Sequence, residues 1–188
     1  MVKVYHDKDI DESVLKGKKV AVIGYGSQGR AQALNMKDSG VDVIVGLRPG
    51  KSWDKAVEDG MTVKTVVEAA KDADIILMLI PDMAQSTVYK EEVALAMGPG
   101  KTLQFAHGLN IHYKEIVPPA EVDLIMVAPK SPGPELRRQY EAGFGVPSLV
   151  AVDAYVPDVS VPSTTEPAIA LDWSVDVDAA MSALVAIS

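Results

Sequence analysis

Hydrophobic and polar positions alternate along most of this chain as short apolar blocks separated by mixed segments. Lys19-Val-Ala-Val-Ile23, between Gly17 and Gly24, reads as a buried strand. The spacing of Ala31, Leu34 and Ala33 predicts a helix over Ser27–Lys37, with Gly40 beyond its end. Val41–Val45 is a second strand. Helices follow over Ser52–Asp59, capped by Ser52, and Thr65–Lys71, capped by Thr65. Asp74–Ile80 is apolar in nearly every position, as a strand covered on both faces should be. A helix over Met83–Met97, a strand over Lys101–Phe105, a strand over Asp123–Val127, a helix over Pro134–Ala142 and a strand over Pro147–Val152 complete the pattern. Strands that alternate with helices imply right-handed crossovers. The expected fold is doubly wound α/β, a mainly parallel, Rossmann-like sheet forming a single domain with a short C-terminal extension.

The chain has 188 residues, 48% of them hydrophobic and 23% charged, a globular composition for one domain of ordinary size. It has no cysteine, which excludes a disulfide framework and a thiol nucleophile. The formal net charge of −8 argues against nucleic acid or an anionic membrane as partner. Ile75–Pro81, the longest apolar run, is too short to span a bilayer, and Met1–His6 lacks the pattern of an export signal, so a cytoplasmic location is expected. The charge is unevenly placed. Residues 153–188 contain no Lys or Arg but six acidic residues, with Pro157, Pro162 and Pro167 among them. That shift sets a boundary near Val152: a nucleotide-binding unit over residues 1–152 and an acidic, Pro-containing tail over 153–188. Val177, Ala180, Met181, Leu184 and Ile187 give the tail an amphipathic pattern over Asp176–Ile187.

The clearest motif is Gly24-Tyr25-Gly26-Ser27-Gln28-Gly29, placed between a strand and a helix. In that setting Gly24 permits the turn, Gly26 lets the backbone approach a diphosphate, and Gly29 lets the helix pack on the sheet. The helix N-terminus then faces the phosphates. At the end of the second strand, Gly46-Leu-Arg48-Pro-Gly-Lys51-Ser52 has no carboxylate for a ribose hydroxyl. Arg48, Lys51 and Ser52 there suit the 2′-phosphate of NADP. Two further loops follow strands. Asp82 and Gln85 lie in one, within contact range of a nucleotide; His107 lies in the other, a candidate acid/base or substrate-orienting group. His6 and His112 have no such context and read as surface residues.

These residues resemble ketol-acid reductoisomerase, also called acetohydroxyacid isomeroreductase. The resemblance is carried by Tyr5…Asp7-Lys-Asp9, Val22–Ala33, Gly46-Leu-Arg48 and Ser52, Leu79–Gln85, Phe105–Asn110, Met126–Gly133, Arg137-Arg-x-Tyr140 and Gly143–Pro147. It implies an Mg²⁺-dependent alkyl shift of a 2-acetohydroxy acid, then reduction by NADPH to a 2,3-dihydroxy acid, in branched-chain amino acid synthesis. It further implies Tyr25, Gly26, Ser27 and Gln28 as the diphosphate loop, and Arg48 and Ser52 at the adenosine phosphate. Asp82, Gln85 and Gly133 become cofactor contacts, His107 the active-site histidine, and Lys130 a residue bordering the same cleft. The Mg²⁺ ligands of the family belong to a helical second half that this chain is too short to contain, so no metal ligand is assigned. Ser131 and Pro134 depart from the family pattern, and the resemblance stops near Val152. Three functions follow: an enzyme of this family, an NADP-binding module inactive alone, or a small metal-independent dehydrogenase using His107 and Lys130. Oligomeric state is not fixed by these residues.

Overall fold

The computed structural model describes residues 12–153. The Tyr5–Asp9 stretch, His6 and the amphipathic pattern over Asp176–Ile187 lie outside the described residues.

After a 3₁₀ turn at Glu12–Leu15, the elements are β1 (Lys19–Ile23), α1 (Ser27–Asp38), β2 (Asp42–Gly46), α2 (Lys51–Glu58), β3 (Thr62–Lys64), α3 (Val66–Asp72), β4 (Ile75–Met78), α4 (Asp82–Val88), β5 (Thr102–Phe105), α5 (Leu109–His112), β6 (Asp123–Pro129), α6 (Gly133–Glu141) and β7 (Ser148–Asp153). The strands form one sheet in the order β3-β2-β1-β4-β5-β6-β7. All pairings are parallel except β6 with β7, where Ile125 stands opposite Val152. The direction of winding reverses between β1 and β4. A ligand crevice is expected outside the carboxyl ends of those two strands.

Alternate residues of each strand feed two separate cores. Val20, Val22, Val45, Leu77, Ile125 and Val127 pack on one face, under α1, α2 and α6. Ala21, Ile23, Ile76, Met78, Leu103 and Phe105 pack on the other, under α3 and the α4 region. Burial on both faces explains why β1 and β4 read as unbroken apolar runs.

Several expectations are corrected. Gly50, with φ of 149°, takes the N-cap of α2, so Ser52 sits inside the helix and does not cap it. The expected Met83–Met97 helix is α-helical only through Val88; a π turn at Tyr89–Val93 and a 3₁₀ turn at Ala94–Ala96 follow. Within the mainly parallel sheet that the pattern predicts, the last strand runs antiparallel. β3, three residues at the sheet edge, and α5 add to the elements read from the pattern. Thr65 does cap α3: the Glu68 N–H donates to Thr65 Oγ1 and the Glu68 carboxylate accepts from the Thr65 N–H.

Candidate functional site

The glycine loop leaves β1 at the point where the winding reverses. Gly24 adopts φ of +104°, a conformation that L side chains rarely take, and a Cβ there would lie 2.7 Å from Ile80 Cγ2. A Cβ on Gly29 would lie 2.3 Å from the Gly24 carbonyl oxygen, so only glycine lets α1 start so close to the strand end. Gly26 has the opposite surroundings: nothing lies within 4 Å of where its Cβ would be. Gly26 is also the N-cap of α1 and brings no side chain to cap it; the first bond of the helix runs from the Arg30 N–H to the Gly26 carbonyl. The N–H groups of Ser27, Gln28 and Gly29 precede that bond in the first turn, next to the open space at Gly26. This cradle fits a diphosphate.

Not every residue of the motif presents its side chain to that space. Tyr25 is buried, and its hydroxyl donates to Asp59 Oδ2 at 3.1 Å. Arg30 forks onto the same carboxylate, with Nε at 2.6 Å and Nη2 at 3.0 Å. The Arg30 hydrogen bond, with help from Tyr25, holds the Asp59 carboxyl at about 2, below its ordinary 3.8. Burial first, then the bond to Asp59, pushes the Tyr25 phenol upward. Tyr25 therefore contributes its backbone to the cradle while its ring anchors α1 to the end of α2. Gln28 donates from Nε2 to the Ser131 carbonyl at 2.7 Å, tying α1 to the turn before α6. Gly133, buried at the start of α6, closes the other side of the loop against Ser27.

Arg48, Lys51 and Ser52 are all exposed at the carboxyl end of β2 and the first turn of α2. Their placement puts two cations beside a helix start lacking a side-chain cap, as a phosphate on a ribose requires. Arg48 also meets a carboxylate: Nη2 lies 2.5 Å from Glu92 Oε1. That partner, brought in by the π turn after α4, was not visible in the sequence.

The loops after β4 and β5 are joined. Gln85 is 3% exposed; its Nε2 donates to the Ile80 carbonyl at 2.9 Å and to Asp82 Oδ1 at 3.2 Å. Its Oε1 accepts from Asn110 Nδ2 at 2.9 Å, and Asn110 also donates to the Asp82 carbonyl at 3.0 Å. Gln85 thus braces the start of α4 against the β5 end. Asp82 and His107 face each other across the joint, with Oδ2 and Nδ1 3.9 Å apart. Nδ1 accepts from the Leu109 N–H at 3.2 Å, so neutral His107 carries its proton on Nε2. His107 is exposed and lines an apolar cavity of about 740 Å³ with Phe105, Ile111, Tyr113, Met126 and Val152. His112 lines it too, a placement its sequence context did not suggest. Lys130 stands apart from this cavity, on the turn after β6, its N–H bonded to the Pro147 carbonyl. Among the described residues, no three His, Asp or Glu side chains gather as a cation site, so the residues here do not fit Mg²⁺. No described helix is long and apolar enough to cross a membrane.

Comparison with known proteins decides the family. The family described as acetohydroxy acid isomeroreductase, NADPH-binding domain, matches residues 14–174, past Val152. The chain belongs to this family. It is 60% identical over 154 residues to the ketol-acid reductoisomerase (NADP(+)) of Methanocaldococcus jannaschii, an alignment covering 81% of this chain and 47% of the relative. Among solved structures, an NADH-preferring ketol-acid reductoisomerase from an uncultured archean superposes with a TM-score of 0.82 at 42% identity, covering 98% of this chain and 52% of that one. Pyrroline carboxylate reductase from Plasmodium falciparum, at 14% identity and a TM-score of 0.57, covers 93% of this chain and 56% of its own and shares the fold. The chain spans about half the length of these ketol-acid reductoisomerases.

Proposed function

We propose that this chain forms the NADPH-holding part of a ketol-acid reductoisomerase. The observation that carries the reading is the open cradle at Gly26, walled by Gly24, Gly29 and Gly133, with Arg48, Lys51 and Ser52 beyond it at the end of β2. In this reading the amides of Ser27 and Gln28 hold the diphosphate, and the Arg48 group takes the 2′-phosphate. When bound, the dinucleotide supplies hydride to a carbonyl carbon. In this reading His107 Nε2–H orients the carbonyl oxygen or protonates it. The apolar cavity beside His107 suits the alkyl groups of a 2-acetohydroxy acid, and product release would give a 2,3-dihydroxy acid in branched-chain amino acid synthesis. The described residues provide no Mg²⁺ site, and no step is assigned to them through the metal. Lys130, on the turn after β6, is kept as a residue bordering the same cleft as His107, outside the lining of the apolar cavity. The reading places the protein in the cytoplasm.

The two relatives differ in the nicotinamide named for them, so the preference of this chain has to rest on its own residues. Arg48, Lys51 and Ser52, with no carboxylate within Gly46–Ser52, favour NADPH. A paired assay tests the reading: NADPH and NADH titrations beside NADPH oxidation with 2-acetolactate and Mg²⁺. Tighter NADPH binding, lost in Arg48→Ala, is the expected result; equal affinities in the unmodified chain would remove the assignment. Binding without turnover identifies a cofactor-binding module. Turnover of a simple 2-oxo acid without Mg²⁺ identifies a metal-independent dehydrogenase instead.

A further inference from the structure

The guanidinium assigned to the 2′-phosphate already holds an anion. Arg48 Nη2 and Nε lie 2.5 Å and 3.2 Å from one oxygen of Glu92, Oε1. The two partners are differently fixed. The Arg48 side chain is 66% exposed, whereas that of Glu92 is 18% exposed. Glu92 sits on the π turn that follows α4, whose Tyr89 and Val93 are buried in the core at 5% and 0% exposure. A π turn inserts a residue's width into a helix and re-aims its side chains, a feature found often at functional sites. Here it sets a carboxylate against the Arg48 guanidinium, at the end of β2 beside the crevice outside β1 and β4.

We infer that Glu92 sets how strongly this chain discriminates a 2′-phosphorylated dinucleotide from one with a plain 2′-hydroxyl. The inference rests on the NADPH reading above. A 2′-phosphate is a dianion; to reach Arg48 it must share the guanidinium with Glu92 or displace it, bringing like charges within a few ångströms. A 2′-hydroxyl makes no such demand, and Glu92 stays paired. The carboxylate therefore taxes NADPH and leaves NADH untouched. An amide in its place keeps the size and hydrogen-bonding shape of the side chain and removes the charge.

The experiment titrates NADPH and NADH into the unmodified chain, Glu92→Gln, Arg48→Ala and the double variant, at low and moderate salt, reading nicotinamide fluorescence. Glu92→Gln is expected to tighten NADPH about three- to tenfold and leave NADH unchanged, as removal of one partly screened charge should. The gain shrinks with added salt and vanishes in the Arg48→Ala background. An unchanged NADPH-to-NADH ratio overturns the inference. So does a lowered ratio, which would mean that Glu92 holds Arg48 ready for the phosphate. Failure of the cofactor reading has its own signature: no NADPH binding by the unmodified chain, or none lost in Arg48→Ala.

Discussion

Gly133 approaches Ser27 so closely that a Cβ on it would lie 2.0 Å from the Ser27 carbonyl oxygen and 2.6 Å from its Oγ. These residues are the start of α6 and the start of α1. The contact makes α6 one wall of the glycine loop, and three further bonds hold it there: Gln28 to the Ser131 carbonyl, and Arg137 to Asn35 and to Asp38.

That packing has no room for a methyl group, and the obstructing atoms are backbone. Gly133→Ala must push α6 away from the loop, at a cost of about 2–3 kcal/mol. A drop in denaturant midpoint is expected, together with weakened NADPH binding, because the displaced atoms are those of the cradle. The same change at Gly100, whose Cβ position is open, provides a contrast for packing: it strains only a positive φ, 79°, and leaves the cradle alone. Retention of full NADPH affinity by Gly133→Ala would remove α6 from the site.

Asp59 links three elements through Tyr25, Arg30 and Lys55. Its side chain is only 12% exposed, and its carboxyl titrates at about 2 in the folded chain against an ordinary 3.8. A lowered folded value means that the charged form stabilises the fold: the contribution is complete above pH 4 and is lost as pH falls towards 2. Asp59→Asn is therefore expected to lose about 1–2 kcal/mol at neutral pH. The gap between the two proteins should close between pH 4 and pH 2, measured by urea unfolding. A constant gap across that range would show that the charge of Asp59 is not the source of the difference.

The contrast between what was legible in the sequence and what was not follows the range of the interactions. Gly24, Gly26 and Gly29 could be read because a strand end, a tight turn and a helix start impose local demands, and the structure meets each with a distinct environment. Thr65 could be read because a cap and its Glu68 are three residues apart. Ser52, expected as a cap, is not one because the helix starts two residues earlier, with Gly50 at the N-cap. Neither the Arg48–Glu92 pair, 44 residues apart, nor the Tyr25–Asp59 bond, 34 apart, leaves a local pattern. The bond from Asn110 to Gln85, 25 residues apart, leaves no local pattern either. The direction of β7 was not legible because a largely apolar run such as Ser148–Val152 does not encode which way its partner strand runs.

Asn110 offers the most direct check on how the β4 and β5 ends cooperate. Its amide donates to Gln85 Oε1 and to the Asp82 carbonyl, both in the loop that carries the carboxylate facing His107. Asn110→Ala leaves the buried Gln85 oxygen without its donor, which costs about 1–3 kcal/mol. The loss is expected in stability and, beyond it, in the order of the Asp82 loop, so NADPH affinity should fall by more than in a surface variant such as Lys114→Ala. Asn110→Asp should not rescue either property, since a carboxylate brings an acceptor to an acceptor. Asn110→Ser, with a hydroxyl donor of shorter reach, should recover part of the stability if any bond to Gln85 re-forms. Hydrogen exchange at Asp82–Gln85 separates the effects. Faster exchange there with an unchanged β1 loop places the fault at the joint; uniform acceleration would mean that Asn110 serves global stability alone.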